Sequence, residues 1–367
     1  MNVTAISETK VSLKKRLGLE LFSRWRDSVI KQHPLNYLFW ECTLRCNLSC
    51  VHCGSDCRQM AHINDMPLED FLKTIDIIAP HVDPNTTMIV LTGGEPLMRN
   101  DLEQCGQELY NRGFPWGMVS NGFTLDKKRY AKLDQAGLRS ITVSLDGFEE
   151  SHNRLRGHPK SYKNALNAIR LIVQSNFDVV FDVVTCVNKW NFSELPALKE
   201  LLINEGVKAW RIFTISPIGR AAENSNLQLD ALQFKQLFDF IRVTRKEDSL
   251  KTDYGCEGFL GNYETEVRDS FFFCRAGINI GSVLADGSIS ACPNMRSNFT
   301  QGNIYNDNFM DVWNNRYQIF RDRSWAKKGE CETCQYFKFC KGNGMHLYNE
   351  EKKLLLCHFN KLKEAAI

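Results

Sequence analysis

Three cysteines within one short stretch, Cys46-Asn-Leu-Ser-Cys50-Val-His-Cys53, are where redox chemistry is best placed in this chain. The C-x₃-C-x₂-C spacing puts three thiolates on one loop. They can ligate three irons of a 4Fe–4S cube and leave the fourth iron open to a small molecule. Structural clusters usually take four cysteines, so three suggest a site left open for chemistry. The same spacing also fits a zinc loop with a fourth ligand elsewhere, such as Cys57. Thr92-Gly93-Gly94-Glu95-Pro96 is the next such stretch. Its glycines let the backbone approach a ligand closely, and Glu95 is an acceptor for an ammonium group. Ser120-Asn121-Gly122, Ser144-Leu-Asp146-Gly147, Arg156 and Asn188 add hydroxyl, amide, carboxylate and guanidinium groups further along.

Cysteines return after about residue 250, as Cys256, Cys274, Cys292, Cys331, Cys334, Cys340 and Cys357. Read alone, these pairs also suit a zinc ribbon. Fourteen cysteines are many for 367 residues. The start of the chain lacks the apolar core of a secretory signal, so the thiols are expected to bind metal in a reducing, cytoplasmic setting. Cys42, Cys57, Cys105 and Cys186 fall outside the useful spacings and read as small buried hydrophobes.

The elements that must position these groups alternate strand and helix. Residues 11–32 read as an amphipathic helix, with Leu13, Leu17, Leu21, Trp25 and Ile30 among Lys14, Lys15, Arg16, Arg24 and Arg26. Such a helix packs across one end of the core in preference to lying on a membrane surface. Strands follow at 38–42, 88–91, 116–119, 140–144, 179–187 and 210–214. The helices between and after them begin at Pro67 and cover 100–112, 126–136, 161–175, 194–205 and 230–245. Six β-α units in a row imply a parallel sheet with right-handed crossovers. The unusual residues fall just after strand C-termini, where barrels place their sites. After residue 250 the pattern weakens, and Gly277 to Ala291 reads as a hairpin turning at Asp286-Gly287.

The cysteine loop, the Gly-Gly-Glu-Pro stretch and the Ser-x-Asp-Gly stretch together resemble the radical S-adenosylmethionine (SAM) enzymes. Their signature is C-x₃-C-x-aromatic-C, and His52 stands where that family usually has Tyr or Phe. The resemblance implies a (β/α)₆ partial barrel of the TIM type. It also implies a 4Fe–4S cluster on Cys46, Cys50 and Cys53, and a SAM site built from His52, Gly93, Gly94, Glu95, Pro96, Ser120, Asn121, Ser144, Asp146 and Arg156. The later pattern, Cys274-x₁₂-Gly287-x₄-Cys292 then Cys331-x₂-Cys334-x₅-Cys340 and Cys357, resembles the SPASM domain, a small cysteine-rich α+β extension that carries auxiliary clusters. Gly344 stands where that pattern places a cysteine. The resemblance assigns Cys256, Cys274 and Cys292 to a first auxiliary cluster, with one corner left for His346, water or substrate. It assigns Cys331, Cys334, Cys340 and Cys357 to a second. The expected layout is a helix over 1–35, the barrel over 36–248 and the SPASM domain over 249–367. The expected activity is hydrogen abstraction from a peptide or protein substrate by a radical derived from SAM. An electron donor such as flavodoxin or ferredoxin would serve it. Porphyrin side-chain oxidation, sulfatase activation and a non-catalytic metal scaffold are the alternatives.

The bulk numbers fit. A 43% hydrophobic and 24% charged composition is ordinary for a globular protein. A net charge of +3 without a basic run argues against nucleic acid as partner. No Ser-His-Asp order, Walker loop or G-x-G-x-x-G occurs, so hydrolase, nucleotidase and dehydrogenase readings have no support.

Overall fold

The computed structural model describes residues 11–55, 57, 62–255, 257–293, 295 and 299–365. Helix α1 (Leu13–Gln32) leads into the sheet. Strands β1 (Tyr37–Thr43), β2 (Met88–Gly93), β3 (Trp116–Ser120), β4 (Leu138–Ser144), β5 (Val180–Val187), β6 (Ala209–Thr214) and β7 (Lys251–Tyr254) pair in parallel in chain order. Between them run α2 (Leu68–Ile78), α3 (Leu102–Asn111), α4 (Lys127–Gln135), α5 (Glu149–Arg156), α6 (Ser161–Val173), α7 (Leu195–Asn204) and α8 (Ala231–Thr244). This is the expected partial barrel, with one strand more than periodicity shows. β7 is only four residues, Lys-Thr-Asp-Tyr, and has no apolar run to announce it.

The other edge carries the larger departure. β8 (Ile280–Val283) pairs in parallel with β1, from Tyr37 against Ile280 to Trp40 against Val283. β9 (Ser288–Ser290) and β10 (Gly302–Asn303) follow antiparallel, so one ten-stranded sheet runs β10-β9-β8-β1 through to β7. The β8–β9 turn is the one expected. The Leu284 amide donates to Ser288 at 2.9 Å, and Gly287 holds φ 84, a left-handed value that favours glycine.

Strand side chains alternate as the pleat requires. Leu38, Trp40, Ile89, Leu91, Trp116, Ile141, Val143, Trp210 and Ile212 are buried. Trp40 stacks on Phe71 of α2 at 4.0 Å between centroids, and the Arg99 guanidinium covers Trp40 at 4.9 Å. On the opposite face Phe39, Val90, Val119, Asp182, Arg211 and Phe213 are only half-buried and leave the barrel interior open. Cys42 and Cys105 are fully buried, as small hydrophobes should be.

Helix α1 packs with the face opposite to the leucine stripe. Leu19, Ser23 and Arg26 are buried, while Leu13, Leu17, Leu21 and Trp25 are 84, 64, 60 and 52% exposed. Long-range polar contacts set that choice. Arg26 donates to the carbonyls of Phe339 at 2.6 Å and Lys338 at 3.1 Å, and Lys15 reaches Asn262 and Glu266. After the sheet come α9 (Phe309–Asn315), α10 (Gln318–Arg321), α11 (Phe337–Cys340) and α12 (His358–Glu364).

Candidate active site

Three segments, following β2, β4 and β6 in the chain, seat the loop carrying Cys46, Cys50 and Cys53. From β2, the Gly94 amide donates to Thr43 O at 2.8 Å and the Glu95 amide to Arg45 O at 2.9 Å. A Cβ on Gly93 would lie 2.0 Å from Thr43 O, and one on Gly94 would lie 2.3 Å from Arg45 O. The close approach that these glycines permit is therefore to the chain itself. From α5, the carbonyls of Leu155 and Arg156 accept from Val51 at 2.9 Å and Ser49 at 3.2 Å. From the loop after β6, the Arg220 amide donates to Cys53 O at 3.1 Å and its Nε to Cys50 O at 2.7 Å.

Glu95 is buried and accepts from Leu97 N at 3.1 Å, Ser120 Oγ at 2.8 Å and Asn121 N at 2.7 Å. A carboxylate offers about four acceptor sites, so about one is left for an ammonium. Pro96 opens the short helical turn that Glu95 caps. Asn121 Nδ2 donates to Asn47 at 2.8 Å and lies 4.0 Å from Cys46 Sγ. Ser144 ends β4 in a buried position.

Asp146 is fully buried and does not face outward. Its Oδ2 accepts from Arg156 Nε at 2.5 Å, and its Oδ1 from the Cys186 amide at 2.9 Å. Burial would raise this carboxyl, but Arg156 and the nearby histidines hold it at about 2. The same guanidinium places Nη1 3.9 Å from Cys50 Sγ. Asp146 therefore aims Arg156 at the cysteine loop. The ring of His52 and the side chains of Asp146 and Cys186 bring their ligating atoms within 4.8 Å of one another. Burial, with Arg156 adding, keeps His52 neutral to about pH 4. The side chain of Asn188 is occupied by its own turn, donating to Cys186 O at 3.1 Å and accepting from Trp190 N at 2.9 Å.

The thiols suit a metal cluster. Burial pushes Cys46 up to about 12 and raises Cys50. Thiols so buried ionise readily only when a metal takes the charge. Cys57, also buried, hydrogen-bonds to the Cys53 thiol and thereby lowers it. The described cysteines are all unbridged.

The C-terminal thiols show a second such arrangement. Cys331, Cys340 and Cys357 lie within electrostatic reach of one another, and Cys334 beside Cys331. Lys341, Gly342 and Asn343 hold consecutive left-handed φ values of 54, 83 and 63. That turns amides inward, and the Asn343 amide donates to Cys340 Sγ at 3.1 Å. The outward carbonyls are tied off. Arg323 takes those of Gly342 and Asn343, and Tyr348 OH donates to Gly342 O at 2.7 Å. Cys274 accepts from the Met345 amide at 3.4 Å. Cys292 follows β9, half-buried against the core, and Cys256 lies outside the described residues.

The family model described as "Radical SAM superfamily" matches residues 40–202, and the one described as "Iron-sulfur cluster-binding domain" (SPASM) matches residues 274–335. This chain belongs to the radical SAM superfamily and carries a SPASM domain. Among similar proteins, the AdoMet-dependent heme synthase of Methanosarcina barkeri is 27% identical, over 83% of this chain and 89% of its own length. The mycofactocin maturase MftC of Mycolicibacterium smegmatis is 27% identical, over 89% of this chain and 81% of its own. The structure of anSMEcpe with bound AdoMet and Cp18Cys peptide superposes with a TM-score of 0.70 at 19% identity, over 91% of this chain and 95% of that one, which shows the shared fold.

The cofactors of this radical SAM/SPASM enzyme are 4Fe–4S clusters and SAM. Where these thiols hold such a cluster, it would supply the electron for reductive cleavage of SAM. Sequence reasoning missed several residues that the radical SAM fold brings to this region. Arg220 and Gly219 hold the cysteine loop; Gly219 has φ 53 and room for no Cβ beside Cys53 O. Asn191 donates to Asp146 O. Buried Glu257 accepts from Thr214 N at 3.0 Å, Thr214 Oγ1 at 2.6 Å and Tyr254 OH. Only the Gly-Arg pair just after the sixth strand carried a readable hint, a turn residue beside a cation. Among the described residues no helix is long and apolar enough to cross a membrane.

Proposed function

We propose that this enzyme abstracts a hydrogen atom from a peptide or protein and thereby modifies a side chain or Cα. In this reading Cys46, Cys50 and Cys53 hold the cluster, and the remaining acceptor site of Glu95 takes the SAM ammonium. Asn121, Ser120, Ser144 and His52 line the SAM site, and Arg156 takes an anionic group of the cofactor. One observation carries the substrate class. A cleft of about 450 Å³ beside β6 and β7 is lined by Trp25, Phe213, Phe271 and Phe273, with Arg211, Arg268 and Arg275 among them. Arg211 pairs with Asp182 at 2.8 Å, and Arg268 donates to the carbonyls of Gly255 and Gly258. The Arg275 guanidinium makes no ion pair or hydrogen bond among the described residues and lies over the Tyr37 ring at 5.8 Å. A cleft of mixed charge with one spare guanidinium suits a polypeptide better than a multiply carboxylated ring. A relative named as a maturase is consistent with it.

Porphyrin side-chain oxidation is the second reading. The aromatic lining of that cleft and the relatives named as heme synthases favour it. Deuterium-labelled candidate peptides and an iron coproporphyrin, each turned over with SAM under anaerobic conditions, separate the two. Label should pass from peptide into 5′-deoxyadenosine together with a mass change in the peptide. Label passing only from the porphyrin would sink the first reading.

The electron donor is proposed to be an acidic flavodoxin- or ferredoxin-type protein. It would meet a cleft of about 770 Å³ between α1 and the SPASM cysteines, lined by Lys31, Lys327, Lys338, Lys341, Cys274, Cys334 and Cys340. Charge complementarity acts mainly on association rate. The double variant Lys31→Glu/Lys327→Glu should slow flavodoxin-driven turnover about tenfold at low salt and leave dithionite-driven turnover unchanged. Equal loss with both reductants would show that the lysines matter for folding and not for docking.

A further inference from the structure

Gly344 stands where the SPASM pattern has a cysteine, and the space beside it is already filled. A Cβ built on Gly344 would lie 2.6 Å from Cε1 and 3.0 Å from Nδ1 of His346. It would also lie 2.7 Å from the carbonyl oxygen of Glu257. The backbone cannot yield easily, because the Gly344 amide donates to that same carbonyl at 3.0 Å. The next residue, Met345, is fully buried and gives its amide to Cys274 Sγ at 3.4 Å. An amide donor of this kind stabilises a thiolate ligand. The imidazole of His346 therefore occupies the volume of the missing side chain, one residue from a contact to a cluster thiol.

The two histidines of this region differ in their partners. His358 is fully buried, with Nε2 3.1 Å from Tyr254 OH and 3.7 Å from Glu257 Oε2. Among the described residues neither ring nitrogen of His346 makes a hydrogen bond. The Glu257 carboxylate lies within electrostatic reach of His346, which is the outer-shell company that ligating histidines usually keep. Imidazole is a known ligand to iron–sulfur clusters.

We propose that His346 is a nitrogen ligand of the auxiliary cluster held by Cys274 and Cys292, in place of a thiolate from position 344. The proposal rests on the auxiliary-cluster reading of the SPASM domain. A neutral imidazole in place of a thiolate makes the site less negative by one charge, so this cluster should be easier to reduce than its all-cysteine counterpart.

The test uses the full chain with Cys46, Cys50 and Cys53 changed to Ala, so that only C-terminal clusters remain. It is labelled with ¹⁵N-histidine, reconstituted anaerobically and reduced. Pulsed electron paramagnetic resonance should show one directly bound histidine nitrogen. The signal should vanish in His346→Ala, and in His346→Cys it should vanish with iron retained and the reduction potential lowered. Cys274→Ala should remove about four irons per chain. Absence of bound nitrogen in the unsubstituted SPASM domain, or its persistence in His346→Ala, would overturn the ligand assignment alone, provided that Cys274→Ala still removes iron. If Cys274→Ala removes none, no cluster forms at Cys274 and the proposal falls together with the reading beneath it.

Discussion

Changing Cys46, Cys50 and Cys53 together to Ala should reduce 5′-deoxyadenosine formation from SAM to background. Iron should fall by about four per chain, with the C-terminal clusters retained. In the proposed assignment three thiolates would leave one iron open to the methionine amino and carboxylate groups of SAM, which would find no comparable place elsewhere. The C-terminal sites should survive because other parts of the chain hold them. Arg26 of α1 and Arg323 fix the carbonyls around Cys340, and neither touches the barrel loop. Product formation is read by chromatography and mass, and iron by chemical assay. Sustained 5′-deoxyadenosine in the triple variant would remove the catalytic assignment, whatever its colour.

Gly93→Ala should be the most damaging single change at a residue that carries no chemistry. Its cost should be about 4 kcal/mol or more. Two effects add. The φ of 137 is one that L side chains rarely adopt, and the new Cβ meets a backbone oxygen at 2.0 Å. Gly94→Ala separates them, since it meets a backbone oxygen at 2.3 Å without a left-handed φ. Gly329→Ala is the opposite control, with φ 56 and nothing within 4 Å of the new Cβ. It should cost only about 1 kcal/mol. Anaerobic urea unfolding gives the order, and iron content shows whether the cysteine loop has lost its seat. A Gly93 variant no less stable than the Gly329 variant would mean that the glycine pair does not clamp that loop.

The sequence makes legible what is local. Ligand spacing within one loop, the alternation of strand and helix and the polar residues at strand ends are short-range properties. The structure places Glu95, Ser120, Asn121, Asp146 and Arg156 around the cysteine loop. Long-range choices are not written in any window. Periodicity picks out the Leu13–Leu17–Leu21 stripe of α1, yet the buried face is set by Arg26 finding carbonyls more than three hundred residues away. Asp146 is a strand-end acid in the sequence, and only the fold shows that Arg156 and the Cys186 amide occupy it. The Glu257–Thr214–Tyr254 network joins a strand end to the approach to the SPASM domain, with partners too far apart in sequence to suggest one another. The β1–β8 pairing escapes for the same reason.

That pairing also sets an order of events. Tyr37 finds Ile280 only after β2 through β7 have been made. During synthesis one side of β1 therefore waits with its amides and carbonyls unpaired, a bare edge that invites other chains. Contacts so distant in sequence also form slowly. The strand kept waiting is the one that runs into Cys46. A ribosome stalled before β8, or a fragment cut there, would hold Cys46, Cys50 and Cys53 at the end of an unfinished edge. Such fragments should aggregate, and iron loading of the barrel should depend on residues of the distant hairpin that touch no iron.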